Sequence, residues 1–301
     1  MTSSPRSDAS DAPLPSISIV VPNFNGGATI EATLLSLIEQ NYPGLEILVV
    51  DGGSTDSSVE VIRKYEGHIS WWVSEKDRGQ SHAINKGFAR AKGEIVNWLC
   101  SDDVLLPGAL HAVGRAFVDD PVPDLVAGAC QLRFLGDPAR DCIQKPSPPM
   151  LELMPCLNPF VQPSCFFRRA LLDREPILDE DLHFTMDFDL WTYLYQGGAK
   201  WKFIPDVLSV MYFSGQNKTA TGKVKITYEF EAIYRKYIKE RIPLTYWHRL
   251  LRFPVERVRC RHRGLLFGFL VYYPYQCAII ALLSPFYGFR RVRRMNWLEF
   301  G

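Results

Sequence analysis

The stretch that decides the fold is ISIVVPNFNGGATIEATLLSLIEQNYPGLEILVVD, residues Ile17–Asp51. It opens with the apolar run Ile17–Val21 and closes with a second apolar run, Ile47–Val50. Between them, apolar residues recur at the spacing of one helix face. Strands that are apolar on both faces and separated by a helix are typical of a parallel sheet covered by helices on each side. We therefore predict an α/β, Rossmann-like fold with a mostly parallel central sheet.

The alternation of strands and helices continues beyond Asp51. We predict that Ser57–Glu60 is a capping box that starts a helix, and that Gly93 ends the next helix. The remaining predicted elements are strands at Trp71–Val73, Ile95–Leu99, Asp124–Phe134 and Trp201–Phe213, helices at Gln80–Ala91, Thr185–Gln196 and Lys223–Glu240, and a proline-rich loop from Pro138 to Pro149. This pattern indicates a disordered tail (1–15), one α/β domain (16–240) and a C-terminal helical extension (241–301).

Polar residues follow the predicted strands, at the edge where open α/β sheets bind ligands. Asn23 and Asn25 come after the first strand, Asp51 after the second, and Asp102 with Asp103 after the fourth. A carboxylate at position 51 either accepts hydrogen bonds from a base or ribose, or serves a turn of the chain itself. Adjacent carboxylates suit a hard divalent cation, although such a pair also caps helices.

Two further aspartates begin the predicted helix Thr185–Gln196. Helical geometry sets Asp187 on the apolar face and Asp189 roughly opposite. We expect Asp187 to be half-buried, with a raised pKa, and Asp189 to stabilise the helix N-terminus electrostatically. Stabilisation of the helix dipole is also the alternative role for Asp187.

The ordered set of motifs resembles the inverting glycosyltransferases of family 2, which have the GT-A fold. The resemblance covers roughly Ser16 to Tyr237. Its motifs are Ile17–Asn25, Val49–Asp56, Glu75–Gly87, Gly93-Glu94, Ser101–Asp103 and Met186–Leu190.

The resemblance implies a role for each matching position. Asp187 is the expected general base, and Asp103 the ligand of a divalent metal, Mn²⁺ or Mg²⁺. Three departures stand out: serine at position 101 of the metal motif, Met186 where a glutamate usually precedes the base, and His82 where aspartate is common. The expected nucleotide-sugar contacts are Pro22, Asn23, Asn25, Asp51, Asp77, Gly79, Gln80, Lys86 and Asp102, and the expected acceptor-side residues are Gln162, Ser164 and Trp191.

These roles predict transfer of a sugar from a nucleotide-diphosphate sugar to an acceptor hydroxyl. Two other hypotheses about the function remain open. A sugar nucleotidyltransferase also combines a nucleotide fold with metal carboxylates, but Pro22–Gly27 has no lysine or arginine for a phosphate loop. A non-catalytic nucleotide-sugar-binding protein on the same fold is the second.

Composition and the C-terminal segment bear on location and partners. The net charge of +1 gives no indication of nucleic-acid binding, and seven cysteines without a C-x-x-C pair fit a reducing cytoplasm. Residues 264–289 carry no charge, and arginines flank them on both sides. We expect this segment to lie on the inner face of the membrane, which suits a saccharide or lipid-linked acceptor of surface polysaccharide or glycolipid assembly. A true span and a buried core or oligomer contact are the alternatives.

Overall fold

The structure is a computed structural model of the chain. It describes residues 13–119, 121–146, 148–151, 154, 158, 160–214, 223–238, 247, 251, 273–290 and 292–293. The chain divides into two compact units, the first made of Met1–Pro146 and Phe160–Glu229, the second of Ser147–Pro159 and Phe230–Gly301. The predicted tail before residue 13, the polar loop 215–222 and the basic run 257–263 lie outside the described residues.

The first unit is built on one sheet, whose described strands run in the order β3-β2-β1-β4-β8-β6-β9-β5, with β7 paired to β6. The strands β1, β2, β3 and β4 are mutually parallel, and β8 runs antiparallel to β4. The bounds are β1 Ile17–Asn23, β2 Leu45–Asp51, β3 Trp71–Ser74, β4 Ile95–Trp98, β5 Val104–Leu105, β6 Leu125–Phe134, β7 Cys142–Gln144, β8 Cys165–Arg168 and β9 Trp201–Phe213.

Helices cover both faces of this sheet, which confirms the predicted α/β architecture. On one face, α1, α2 and α4 pack on Ile17, Ile19 and Val21 of β1 and their neighbours. On the other face, α3 approaches β1 so closely that a Cβ at Gly87 would overlap Val20. The helices are α1 Ile30–Ile38, α2 Ser58–Lys64, α3 Gln80–Phe88, α4 Ala109–Val118, α5 Pro148–Leu151, α6 Met186–Gln196, α7 Lys223–Tyr237 and α8 Tyr273–Tyr287.

Three local predictions are corrected. Helix α2 begins where expected, but Ser57 makes no capping hydrogen bond, and Oδ1 of Asp56 accepts the N–H of Ser58 at 3.0 Å instead. Helix α3 ends at Phe88, and Gly93 serves a close approach to Ser18 of β1. The proline-rich loop contains the strand β7, which pairs with β6.

The second unit contains α5, the end of α7 and α8. Its core is formed by Tyr234, Ile279, Leu283 and Val292, which are all at most 4% exposed. Within the described part of the chain, every helix is too short or too polar to cross a bilayer. The predicted boundary between domain and extension after residue 240 stays a prediction.

Candidate active site

The loops after β1 and β2 are joined by side chains that follow the strand ends. Nδ2 of Asn23 donates to Oδ1 of Asp51 at 2.7 Å. Oδ1 of Asn25 accepts the N–H of Thr55 at 2.9 Å, and Oδ2 of Asp56 accepts the N–H of Gly27 at 2.8 Å. The motifs that the sequence singled out separately therefore form one connected rim at the carboxyl edge of the sheet.

Asp51 is the anchor of this rim. Its side chain is fully buried and accepts hydrogen bonds from the hydroxyls of Ser54 and Ser74, at 2.5 and 2.6 Å, and from the backbone N–H of Gly53 and Ser54. Burial raises the pKa of this carboxyl, but the hydrogen bonds from Ser54, Ser74 and Asn23 together outweigh it and hold the pKa below its ordinary value. Asp51 is thus an ionised group whose oxygens the chain itself already occupies, as the turn-serving alternative predicts.

Two features of the rim are relevant to ligand binding. Oδ1 of Asn23 is buried and has no partner among the described residues, and it lies beside Gly26 together with the hydroxyl of Ser101. Phe24 is 66% exposed, and its ring and the carboxylate of Asp77 both approach Gly52. An exposed aromatic ring can stack on a planar base, and a buried acceptor without a partner can take a hydrogen bond from a ligand.

The loop that leads into α3 forms the next part of the rim. Oδ1 of Asp77 accepts the N–H of Gly79 at 2.8 Å, and Gly79 has a φ of +122°, a conformation that side chains with a Cβ rarely adopt. Nε2 of Gln80 donates to Sγ of Cys100 at 3.0 Å, which brings this loop to the end of β4. Lys86 is paired with Glu75 at 2.7 Å.

A cluster of possible metal ligands follows β4. Sγ of Cys100 and carboxylate oxygens of Asp102 and Asp103 all lie within 4.8 Å of one another. Asp103 is 3% exposed, and burial together with the charge of Asp102 raises the pKa of its carboxyl well above the ordinary value. Burial also raises the pKa of Asp102. Because a cation removes the repulsion between two such carboxylates, this donor set fits a divalent metal.

Helix α6 carries Asp187 to the same edge. Its Trp191 stacks on Trp98 of β4, with ring centroids 5.9 Å apart, and meets Phe167 of β8 edge-on at 5.6 Å. Asp187 is half-buried at the first turn, as predicted. Its predicted raised pKa stays a prediction.

The charges of Asp103 and Asp187 act on two neighbouring buried thiols. Burial, and then the charge of Asp103, raises the pKa of Cys130 to about 11. Burial, the charge of Asp187 and that of Cys130 raise the pKa of Cys165 well above its ordinary value. Cys165 begins β8, whose antiparallel register sets it beside the carboxyl end of β4. Asp103 and Asp187 therefore belong to one region of the molecule.

Asp189 has a different role from the predicted one. Its carboxylate is fully buried and forms an ion pair with Nη2 of Arg174 at 2.8 Å. The side chain is thus a core group with a specific partner. General stabilisation of the helix N-terminus, which the sequence had predicted, is not its main interaction.

The predicted acceptor-side residues differ in their exposure, and their role stays a prediction. Ser164 and Trp191 are both 0% exposed, and the hydroxyl of Ser164 is engaged by Ala129 O and Ser209 Oγ at 2.9 and 2.6 Å. Ser164, in the turn just before β8, and Trp191, on α6, both pack in the core. Gln162 is partly exposed, and its Nε2 donates to Trp98 O at 2.7 Å.

Sequence reasoning missed Phe24, which lies inside a quoted motif, and Cys100, which is adjacent to one. Phe24 stands between two asparagines that were assigned to the nucleotide pocket, and Cys100 directly precedes the Ser101–Asp103 motif. An exposed aromatic residue and a thiol next to carboxylates were the available signals.

The chain resembles known proteins in sequence as well as in fold. The model of the family described as glycosyl transferase family 2 matches residues 18–176. An uncharacterised glycosyltransferase of Rickettsia typhi is 26% identical over 242 residues, which cover 75% of this chain and 72% of the relative. An uncharacterised protein of Mycobacterium tuberculosis is 36% identical over 109 residues, or 36% of this chain and 34% of that protein.

Solved structures share the fold. Residues 1–349 of Staphylococcus aureus TarS superpose with a TM-score of 0.58 at 19% identity, covering 93% of this chain and 89% of that one. In a longer TarS structure, with a TM-score of 0.56 and 22% identity, the match covers 90% of this chain and 48% of that one. The mannosyltransferase PcManGT from Pyrobaculum calidifontis, solved with GDP-Man and Mn²⁺, gives a TM-score of 0.58 at 20% identity, covering 92% and 80%.

Proposed function

The chain belongs to glycosyl transferase family 2, and on that premise we propose that it moves a sugar from a nucleotide-diphosphate sugar to an acceptor hydroxyl with inversion of the anomeric centre. The observation that carries the proposal is that Asp103 follows the end of β4, while Asp187 lies in the first turn of α6, whose Trp191 stacks on Trp98 at that same end of β4. Structural neighbours solved with UDP-GlcNAc and with GDP-Man support the donor class.

The base of the donor belongs at the rim formed by the β1 and β2 loops. The ring of Phe24 offers a stacking surface, and Oδ1 of Asn23 is a buried acceptor that an N–H or O–H of the donor would satisfy. Asp51 acts indirectly, because its hydrogen bonds from Asn23 and Ser54 hold both loops in place. Asp77, Gly79 and Gln80 border the next part of the donor.

The diphosphate belongs near the end of β4. Asp103, with Asp102 and Cys100 beside it, would hold a divalent cation there. When bound, that cation neutralises the charge of the leaving diphosphate. The chain contributes a carboxylate that is buried and close to a second one, so that the pair is least stable when no cation is present.

Asp187 is the proposed general base. Its carboxylate accepts the proton of the acceptor hydroxyl as that oxygen bonds to the anomeric carbon. The bond from the anomeric carbon to the diphosphate oxygen breaks in the same step, and its electron pair leaves with the nucleoside diphosphate. One in-line displacement inverts the configuration. Trp191 fixes the helix by stacking on Trp98, so that the base stands on a rigid element.

The product assay decides between this function and its closest rival. The protein is incubated with Mn²⁺ and a set of UDP- and GDP-sugars, and the released nucleotide is identified by chromatography. Release of the nucleoside diphosphate is expected. Pyrophosphate release would instead indicate a nucleotidyltransferase, and nucleotide-sugar binding without any turnover, across a broad panel of acceptors, would indicate a binding protein.

The acceptor and the cellular location are part of the same proposal. Helix α8 buries Gln276, Ile279 and Leu283, while its opposite side is exposed and uncharged. This α8 stripe consists of Pro274, Cys277, Ala278, Ala281, Leu282, Pro285, Phe286 and the following Phe289, and the exposed Arg290 and Arg293 come next. An apolar stripe that ends in arginines suits the surface of an anionic membrane. We therefore propose a lipid-linked saccharide acceptor, used at the cytoplasmic face of the membrane in surface polysaccharide or glycolipid assembly.

A further inference from the structure

The carboxylate of Glu229, on helix α7, binds the start of the helix that carries Asp187. Oε1 accepts the N–H of His183 at 3.0 Å. Oε2 accepts the N–H of Phe184 at 2.8 Å, the N–H of Thr185 at 3.0 Å and the hydroxyl of Thr185 at 2.9 Å. Three consecutive backbone donors and one hydroxyl thus converge on a single side chain that is 44 to 46 residues away along the chain.

Helix α6 depends on this contact because its own sequence supplies no cap. Thr185 is the N-cap residue but makes no side-chain capping bond, and its hydroxyl turns to Glu229 instead. Thr185 is 3% exposed, so the Glu229 carboxylate, and not solvent, satisfies its N–H. A negative charge at this position also matches the positive end of the helix dipole.

The segment that precedes α6 is held from its other side by α3. Asn85 exchanges two hydrogen bonds with the backbone of Leu178, at 2.9 and 2.8 Å. Arg78 and Asn85 both contact the carboxylate of Glu180. These contacts reach as far as Leu182, to whose carbonyl Ser81 donates at 3.3 Å. The next three residues, 183–185, are those that Glu229 binds, and Asp187 follows within one helical turn.

We propose that Glu229 is a positioning residue for the base: it sets the place and direction of Asp187 by holding the turn from which α6 starts. This inference rests on the proposed function, because it needs Asp187 to be the base. In this role Glu229 does not touch substrate. Its effect is confined to proton transfer, since the loops assigned to the donor are anchored by Asp51 and Asp77 and not by Glu229.

The first test compares Glu229→Ala and Glu229→Gln with Glu231→Gln, a control on the same helix whose carboxylate pairs only with the exposed Arg235 in the contacts described. A displacement of about 1 Å can lower turnover by ~10²-fold. We expect Glu229→Ala to lower kcat by about 10- to 100-fold while the donor KM stays within about twofold. Glu229→Gln keeps one acceptor oxygen and should recover part of the loss. Wild-type kcat in a folded Glu229→Ala protein would overturn the proposal.

The second test separates positioning from general loss of structure. In an Asp187→Asn background no base remains to be positioned, so Glu229→Ala should cost little further activity in single-turnover assays. If the two losses multiply instead, Glu229 acts on folding or binding and the inference fails. If Asp187→Asn alone keeps normal turnover, the base assignment itself fails, which is a different outcome. Should Glu229→Ala not fold, the same cycle is run with Glu229→Gln.

Discussion

Asp189 Oδ2 lies 2.8 Å from Nη2 of Arg174, and this carboxylate is fully buried, whereas Asp187 in the same helical turn is half-buried beside Cys165. The guanidinium of Arg174 also lies over the ring of Tyr193, 4.5 Å from its centroid. The ion pair of Asp189 connects α6 to the preceding segment. The proposed function assigns the reaction to Asp187, so the two aspartates should have separate roles.

Replacing Asp189 by alanine should unfold the protein more easily without abolishing the chemistry. Removing one partner of a buried ion pair costs ~3–5 kcal/mol, because the other charge stays buried. Arg174 is 17% exposed, so we expect the lower end of that range, about 3 kcal/mol. Urea unfolding gives the free energy, and kcat per folded molecule should stay within about tenfold. A large loss of kcat at unchanged stability would contradict this division.

The replacement Asp187→Asn should have the opposite profile. General-base assistance contributes ~10²–10⁴-fold, so kcat should fall by about that factor. The free energy of unfolding and the donor KM should change little, because asparagine keeps the shape of the side chain. The matched control is Asp181→Asn, an exposed aspartate just before the helix. Equal losses of kcat in the two variants would show that Asp187 is not the general base.

Much of the fold was predictable because a strand that is buried on both faces is a continuous run of apolar residues. The apolar runs that became β1, β2 and β4 are buried along their whole length or nearly so. The polar residues after them lie at one edge because parallel strands end together. Short strands such as β5 and β7 were not predicted, because two or three residues show no periodic pattern.

The parts of the site that could not be predicted depend on the orientation of side chains and on partners that are far away along the chain. Ser164 and Trp191 have suitable side chains for sugar binding, but the turn before β8 and the rotation of α6 place both in the core. Asp189 pairs with Arg174 across a turn whose path no local pattern encodes. Glu229 reaches α6 from a separate helix, and helix-capping rules describe only neighbours within a few residues.

A substitution that removes the charge of Asp103 should stabilise the folded protein and abolish its metal-dependent activity. Because burial raises the pKa of this carboxyl, folding favours its protonated form. The protonated carboxyl makes its full contribution to the free energy of unfolding below the ordinary pKa of 3.8. That contribution is lost as the pH rises through the raised pKa of the folded state. In the presence of EDTA, Asp103→Asn should therefore melt at a higher temperature than the wild type at pH 8. The difference should shrink toward pH 4, while metal-dependent turnover is absent throughout. A lower melting temperature at pH 8 would contradict the assigned burial of this charge.

Cys100 should influence which divalent cation is preferred. A thiol is a softer ligand than a carboxylate and favours Mn²⁺ over Mg²⁺. We expect Cys100→Ser to lower the ratio of Mn²⁺ to Mg²⁺ affinity, measured by competition against the Mn²⁺ paramagnetic resonance signal. The control is Cys142→Ser, which changes an exposed thiol on β7. An unchanged ratio would restrict the cation ligands to the two aspartates. Affinity for either metal should rise with pH, since both carboxylates must lose protons to bind it.

The α8 stripe should bind vesicles that contain anionic lipid. Leu282 and Phe286 are 57% and 79% exposed, so glutamate at either position disturbs no core. We expect Leu282→Glu/Phe286→Glu to abolish co-sedimentation with phosphatidylcholine–phosphatidylglycerol vesicles. Replacing Arg290 and Arg293 by glutamine should weaken binding by ~1 kcal/mol per residue and reduce its salt dependence. Tyr228→Glu, on α7 and 67% exposed, is the control. A different result would be that the wild type does not bind vesicles, and that light scattering finds a dimer for the wild type and a monomer for the double variant. The stripe would then be a contact between copies of the chain.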